Sequence, residues 1–190
     1  GRMGDEQKAI YYIAGDSEER LRKSPLLEMY RKRGVEVLIC PDEIDDIVMP
    51  MVGKYGELEL KAVNRAGAEK EFEDKLDEGK AKDLAPVIER IKKALGDEVK
   101  DVRLSARLSE SPSCIVVDAD DPSIQLQQMM KSMGRGGDFE VKPILEVNGD
   151  HALTVIPEQS SAVVAKALNQ VRLQRLPNAE KTVAMMFWNY

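Results

Sequence analysis

Acidic side chains are the groups in this 190-residue sequence best placed to do chemistry. Asp42, Asp45 and Asp46 lie close together and suggest a metal site, but carboxylates in the first turn of a helix are also what the helix dipole favours. Because no second set of ligands is apparent, we expect a solvated helix face. Asp16 marks a strand-to-helix turn of the kind that binds nucleotide phosphates. This turn has a single glycine, and Asp16 and Glu18 would repel a phosphate.

Nucleophiles and their usual bases are scarce. His151 is the only histidine, which excludes a multi-histidine metal site and leaves most nucleophiles without a base. Cys40 and Cys114 both fall at the ends of apolar runs and lack the spacing of metal ligands. Buried thiols in a reducing, cytoplasmic compartment are the simplest explanation. We expect no catalytic residue and no metal site.

The stretch from Asp121 to Met133 is rich in methionine and predicts a short helix, which ends at Gly134. Leu126, Met129, Met130 and Met133 contribute to its apolar side. Two interpretations remain open: a core helix that uses methionine as filler, or a helix that binds partners through flexible, polarizable side chains.

Overall charge narrows the possible partners. The net charge is −6, and the 33% of charged residues mix both signs, whereas proteins that bind nucleic acid present basic stripes. No apolar run approaches the roughly 20 residues of a membrane-spanning helix, and no signal peptide opens the sequence. We therefore expect neither nucleic acid nor membrane as a partner.

Apolar patterns predict an α/β module followed by an α+β module. Residues 8–14 and 35–40 read as buried strands on either side of a helical stretch, which makes a parallel strand-helix-strand unit. A helix at 41–51 and an edge strand at 58–62 follow. Residues 68–95 read as a long helix whose charged first half lies on the surface and whose second half buries a stripe including Ile91 and Leu95.

The second module is predicted to be a three-stranded antiparallel sheet with C-terminal helices. Residues 102–108 and 114–117 form a hairpin, because their connection is too short for a crossover helix. Residues 141–147 read as a third strand, with Pro143 at an edge or a strand end.

Several motifs in the same order resemble the heat-shock protein 90 chaperones. They are QKAIYYIAGDS, GVEVLICPDEIDD, VKDVRLSARLSESPSCIV and KPILEVNGDHAL, and the similarity runs collinearly from Gln7 to Leu153. After Leu153 the helix-break-helix plan agrees with the family, but the family's leucine run and glycine turn are not recognisable.

The resemblance implies a fragment of a larger, ATP-dependent chaperone. Residues 1–66 would be the end of the middle domain, 67–97 a connecting helical segment, and 98–190 the C-terminal dimerisation domain. The family's ATP and Mg²⁺ bind in an N-terminal domain that precedes this region, so the fragment is expected to be no enzyme and to carry no cofactor.

The resemblance also implies two sites. Unfolded or partly folded clients would contact two helices, through Ile47, Val48, Leu126, Met129, Met130 and Met133. A homodimer would form through the C-terminal helices, for which we choose Val164, Leu168, Val171, Met186, Phe187 and Trp188. The rival interpretation is a small ligand-binding or enzyme domain that uses the Asp16 turn or the Asp42–Asp46 carboxylates.

Overall fold

The chain folds around two small β-sheets with helices packed against them. The computed structural model describes residues 3, 7–42, 44–68, 72, 78–123, 126, 127, 130, 141–151 and 160–175. None of the helices in these ranges is long and apolar enough to span a bilayer.

The first sheet is built around β1 (Ala9–Ala14), whose apolar residues are almost all buried. The strands β2 (Val37–Cys40) and β4 (Leu58–Ala62) lie on either side of β1, and both run parallel to it. The predicted parallel strand-helix-strand unit is therefore confirmed. Because β3 (Lys54–Tyr55) pairs antiparallel with β4 on its other side, β4 is an interior strand, and the predicted edge position is wrong.

Two short helices connect β1 to β2. The first, α1 (Glu18–Arg22), begins at Ser17, whose hydroxyl accepts a hydrogen bond from the N–H of Arg20. The second, α2 (Glu28–Arg33), ends at Gly34, which adopts a left-handed conformation with φ +68°. The basic residues in the last turn of α2 complement the negative end of its dipole.

Two further helices differ from the sequence prediction or extend it. The helix α3 (Asp45–Val52) begins after the predicted start at residue 41. The helix α4 (Glu78–Leu95) continues through Pro86, and most of the predicted stretch before residue 78 lies outside the described residues. Phe72, in the stretch expected to lie on the surface, is half-buried instead. Its ring centroid lies 5.3 Å from that of Tyr11 and 5.4 Å from that of Tyr30.

The second sheet is mixed, so the predicted hairpin and the three-stranded antiparallel sheet are both wrong. The strands β5 (Asp101–Leu104) and β6 (Ser113–Val116) do not pair with each other, because β7 (Ile144–Val147) lies between them. It runs parallel to β5 and antiparallel to β6. Pro143 immediately precedes β7, at the strand end that its missing N–H permits.

Two apolar cores hold these elements together. The first combines β1 and α2 with residues of the second sheet, including Cys114, Val116 and Ile144, so it crosses the predicted boundary at residue 66. The second packs α4 and α5 (Ser160–Arg175) on the second sheet. Ile91 and Leu95 are buried in the second core, which confirms the predicted stripe on α4. The domain limits themselves stay a prediction.

Candidate interaction surface

Large apolar side chains are exposed along α3 and the residues on either side of it. We call this group the α3 patch: Ile44, Val48, Met51, Val52 and Tyr55. Met51 is 81% exposed and Tyr55 is 74% exposed. A group of exposed apolar residues on a protein surface is typical of a site that binds another macromolecule.

The predicted client-binding residues fall partly within this patch. Val48 belongs to it, and Ile47 is half-buried. Leu126 and Met130 are helical and half-buried, whereas Met129 and Met133 lie outside the described residues.

Sequence reasoning did not select the other members of the patch as binding residues. Ile44 and Met51 share the apolar face of the predicted helix, which was a usable signal. Tyr55 lies in a two-residue strand, which is too short to show a periodic pattern.

Asp46 lies beneath the α3 patch and is buried, which corrects the expectation that the acidic cluster forms a solvated face. Its neighbours include Ser123, which is also buried, and the cationic Arg65. Burial is the largest influence on Asp46 and raises its pKa, against the opposing effects of Ser123 and Arg65. Burial also raises the pKa of Tyr12 to about 12, with the Asp46 charge as the next cause.

The backbone that leads to Ser123 is fixed from both modules. Arg65 donates from Nη1 to the carbonyl oxygen of Asp118 at 3.0 Å and also to that of Asp121. Lys100, at the start of the second module, lies 2.8 Å from the Asp118 carboxylate and 3.1 Å from that of Asp121. Residues 118–121 are therefore held by two side chains, those of Arg65 and Lys100.

A buried ion pair of the second module also contacts the first module. The Arg107 guanidinium is fully buried, and its Nε lies 2.8 Å from Oε2 of Glu146, whose side chain is 1% exposed. This contact is an ion pair rather than an aligned hydrogen bond. The other two guanidinium nitrogens donate to the carbonyl oxygens of Val63 at 2.7 Å and Arg65 at 3.2 Å. Arg103 also donates to Glu146, at 2.6 Å, so one carboxylate is shared by two cations.

A second connection runs from α2 to the loop between β5 and β6. The Glu28 carboxylate accepts hydrogen bonds from the backbone N–H groups of Ser109, Glu110 and Ser111, at 2.8, 2.9 and 3.1 Å. Partial burial is the largest single influence and raises the pKa of Glu28. The hydrogen bonds together outweigh it, so the pKa lies below its ordinary value.

Neither cysteine has the environment of a reactive thiol. Cys114 is 2% exposed, and burial together with the nearby Glu146 raises its pKa well above the ordinary range. The Cys40 thiol is half-buried, and its pKa is raised by burial and by Asp45. A raised pKa keeps a thiol protonated, so nucleophilic chemistry is disfavoured at both positions.

The carboxylates that a ligand-binding or enzyme domain would use form contacts within the chain. Asp16 forms an ion pair with Arg20 at 2.8 Å, and Asp45 accepts a hydrogen bond from the N–H of Asp42 at 3.3 Å. In the part of the chain that the structure describes, no three His, Cys, Asp or Glu side chains are grouped as metal ligands. The β1-α1 turn does not fit a nucleotide, because its carboxylates oppose a phosphate.

Half of the predicted dimer residues can be placed. Val171 is buried in the second core, with Val164 and Leu168 packed against that core and half-exposed. Met186, Phe187 and Trp188 lie outside the described residues. Val171 therefore contributes to packing within the chain, while Val164 and Leu168 keep surface that a partner can contact.

Comparisons with known proteins agree on one family. The family model described as Hsp90 protein matches residues 1–183. A chaperone protein HtpG of Treponema denticola is 60% identical over 156 residues, which is 80% of this chain and 24% of that protein. The HtpG chaperone of Wolinella succinogenes is 51% identical over 155 residues, which is 80% of this chain and 25% of that protein. The HtpG chaperone of Treponema pallidum is 48% identical over 156 residues, which is 80% of this chain and 24% of that protein. The chain thus spans about a quarter of the length of the curated relatives it matches.

Proposed function

Because the chain belongs to the Hsp90 family, we propose that it is the client-binding and dimer-forming part of a chaperone. In this proposal residues 1–66 correspond to the end of the middle domain and 98–190 to the C-terminal dimerisation domain. ATP binding and hydrolysis belong to other parts of such a chaperone, and this chain contributes no catalytic residue.

The exposed α3 patch is the observation that carries the proposal. Unfolded polypeptides expose apolar side chains, and burying one Val or Met side chain against them contributes about 1.5–3 kcal/mol. The unbranched methionines adapt to clients of different shape, which suits a surface that must accept many sequences. Ile47, Leu126 and Met130 add half-buried apolar area, and Met129 and Met133 extend the same predicted helix.

Suppression of aggregation tests the client site. Light scattering of thermally denatured malate dehydrogenase is measured with the parent chain and with a variant that combines Val48→Asp and Met51→Asp. We expect the variant to lose most of the suppression, because two carboxylates in the α3 patch oppose apolar contact. A second variant with Met129→Asp and Met130→Asp tests the other helix.

The matched control adds two carboxylates elsewhere. Ala85 and Ala94 are exposed on α4, far from the α3 patch in sequence, so Ala85→Asp with Ala94→Asp changes the net charge equally. Its suppression should equal that of the parent. Full suppression by the patch variant would show that α3 does not bind clients.

Dimerisation is the second part of the proposal. The exposed parts of Val164 and Leu168 on α5, together with Met186, Phe187 and Trp188, would pair with their copies in a second chain. Sedimentation equilibrium should give twice the chain mass at tens of micromolar, and a monomer at that concentration would contradict the proposal.

A further inference from the structure

The strand β2 is one edge of the first sheet. In the part of the chain that the structure describes, the strand order is β2-β1-β4-β3, so only one side of β2 is paired. The carbonyl oxygen of Cys40 accepts a hydrogen bond from the N–H of Gly15, on the side of β1. Because backbone groups alternate in direction along a strand, those of Leu38 also point toward β1, and those of Val37 and Ile39 point to the open side. The open side of β2 is therefore a row of N–H and C=O groups at strand spacing.

The other sheet edges among the described residues have the protection that β2 lacks. The strand β3 has two residues, one of them Lys54, and two of the four residues of β5 are charged. Just after β6, Val117 is paired with Arg65. Proteins commonly protect edge strands with charged residues, prolines or coverage, and an apolar edge without them is a template for pairing with another chain. The strand β2 consists of Val, Leu, Ile and Cys, and its Leu38 is 49% exposed.

An open groove of about 350 Å³ lies between this edge and the helices that connect β1 to β2. Most of its lining is apolar, including Leu27, Val35, Val37 and Ile39. The last three occupy alternate positions, so their side chains share one face of the extended chain. A second strand laid along β2 would direct its own alternate side chains to the same face. The groove therefore has the place and the spacing that apolar residues of an added strand require.

Two arginines set the charge of the groove. Arg22 and Arg31 both line it, and both are exposed. Arg22 forms an ion pair with Glu18 at 2.7 Å. Arg31 donates from Nη2 to the carbonyl oxygen of Arg22 and has no carboxylate partner among the described residues. A ligand that brings a carboxylate to this groove would therefore complement a cation that the described part of the chain leaves without a counter-ion.

We propose that β2 is a docking edge for an extended segment of another protein, with alternate apolar side chains in the groove and a carboxylate on Arg31. The row of backbone groups selects a polypeptide over a lipid or a small molecule, because only a polypeptide repeats donors and acceptors at the same spacing. Main-chain hydrogen bonds supply the affinity, and the groove and Arg31 supply the sequence preference. The inference goes beyond the proposed function, since neither α3 nor α5 contributes a lining residue.

Backbone methylation of a peptide tests strand addition with the unmodified protein. The probe is a short fluorescent peptide that alternates valine with threonine and ends in glutamates, and fluorescence anisotropy measures its binding. N-methyl groups at every valine block one edge of the extended peptide, and N-methyl groups at every threonine block the other edge. Because the glutamates fix the direction of the peptide on Arg31, only one of the two methylated forms should lose affinity, by about ten-fold or more. The other should stay within about two-fold of the unmethylated peptide.

Charge reversal tests the arginine contact. Arg31→Glu should weaken binding of the glutamate peptide about ten-fold, and it should bind a peptide that ends in lysines better than the parent does. The matched control is Lys93→Glu, which changes the net charge equally at an exposed position of α4 that does not line the groove. This control should bind the glutamate peptide as the parent does. Circular dichroism checks that both variants are folded, and an equal loss of affinity in the two would overturn the arginine contact.

The remaining outcomes each decide against the docking edge. If both methylated forms bind like the unmethylated peptide, or both lose affinity equally, strand addition is wrong. If the parent binds no peptide, the docking edge is wrong. In that case, self-association that Ile39→Lys abolishes would assign the edge to a second copy of the chain instead. None of these assays uses a denatured client or alters α3, so the aggregation assay with Val48→Asp and Met51→Asp decides the proposed function separately.

Discussion

Replacing Glu146 with glutamine should unfold this chain more readily than its small chemical change suggests. The substitution keeps the volume and one acceptor oxygen, so it isolates the loss of charge. It leaves the Arg107 guanidinium buried without its counter-ion, with the carbonyl oxygens of Val63 and Arg65 as acceptors. Breaking a buried pair by removing one partner costs about 3–5 kcal/mol.

The size of this loss is large relative to the stability of a domain, which is typically about 5–15 kcal/mol. With a urea dependence of about 2 kcal/mol per molar, a loss of 3 kcal/mol lowers the unfolding midpoint by about 1.5 M. Equilibrium unfolding in urea, followed by circular dichroism, measures the shift. Arg107→Met should also be destabilising, and the double variant should lose less than the sum, because the two side chains are coupled.

An exposed ion pair of the same chain provides the control. Lys80 and Asp150 approach to 2.6 Å, but their side chains are 56% and 74% exposed. Because solvent screens such a pair, Lys80→Met should cost less than about 1 kcal/mol. If Glu146→Gln shifted the midpoint no more than Lys80→Met, the buried Arg107-Glu146 pair would not stabilise the fold more than an exposed pair does.

Three further predictions follow from single residues. The lowered pKa of Glu28 means that its contribution to stability is complete above the ordinary value of 4.5 and is lost as the pH falls through the lowered value. The difference in unfolding free energy between the parent and Glu28→Gln should therefore shrink in acid. A difference that does not vary with pH would contradict this. Cys114 should react with a thiol reagent only as fast as the chain opens, well after Cys40, and equal rates in the folded protein would refute its burial. Gly34→Ala should cost about 1–2 kcal/mol in urea unfolding because the φ of +68° is left-handed, and Gly34→Asn should cost less; equal stability of all three chains would show that the helix end relaxes.

The parallel pair of β1 and β2 was predictable from local patterns, whereas the interior position of β4 was not. Continuous apolar runs indicate strands buried on both faces, and a helix between them requires parallel strands. The second sheet was not predictable, because a strand about 30 residues further along the chain enters between two that are close in sequence. Glu146 made the central, buried position of β7 hard to predict. A glutamate in a strand is typical of a solvent-facing position, and only its contacts with Arg107 and Arg103 explain its burial.

The candidate site was also only partly predictable from the sequence. The apolar face of α3 is visible in the sequence as a helical repeat, but Val48 was selected through the resemblance to the chaperone family. Asp46 reads as one more first-turn carboxylate, since its buried neighbour Ser123 is distant in the chain. Patterns identify which face of a helix is apolar, but they do not show which of several similar carboxylates becomes buried.

The position of β7 between β5 and β6 has a consequence for the order of events on the ribosome. Arg107 is synthesised 39 residues before Glu146, an interval of about 2–8 seconds at ordinary rates of translation. Until β7 emerges, the two flanking strands have no central strand to pair with. During this interval the nascent chain has two unpaired strand edges, and Arg107 has no carboxylate partner. The emerging polypeptide itself therefore exposes features that attract chaperones.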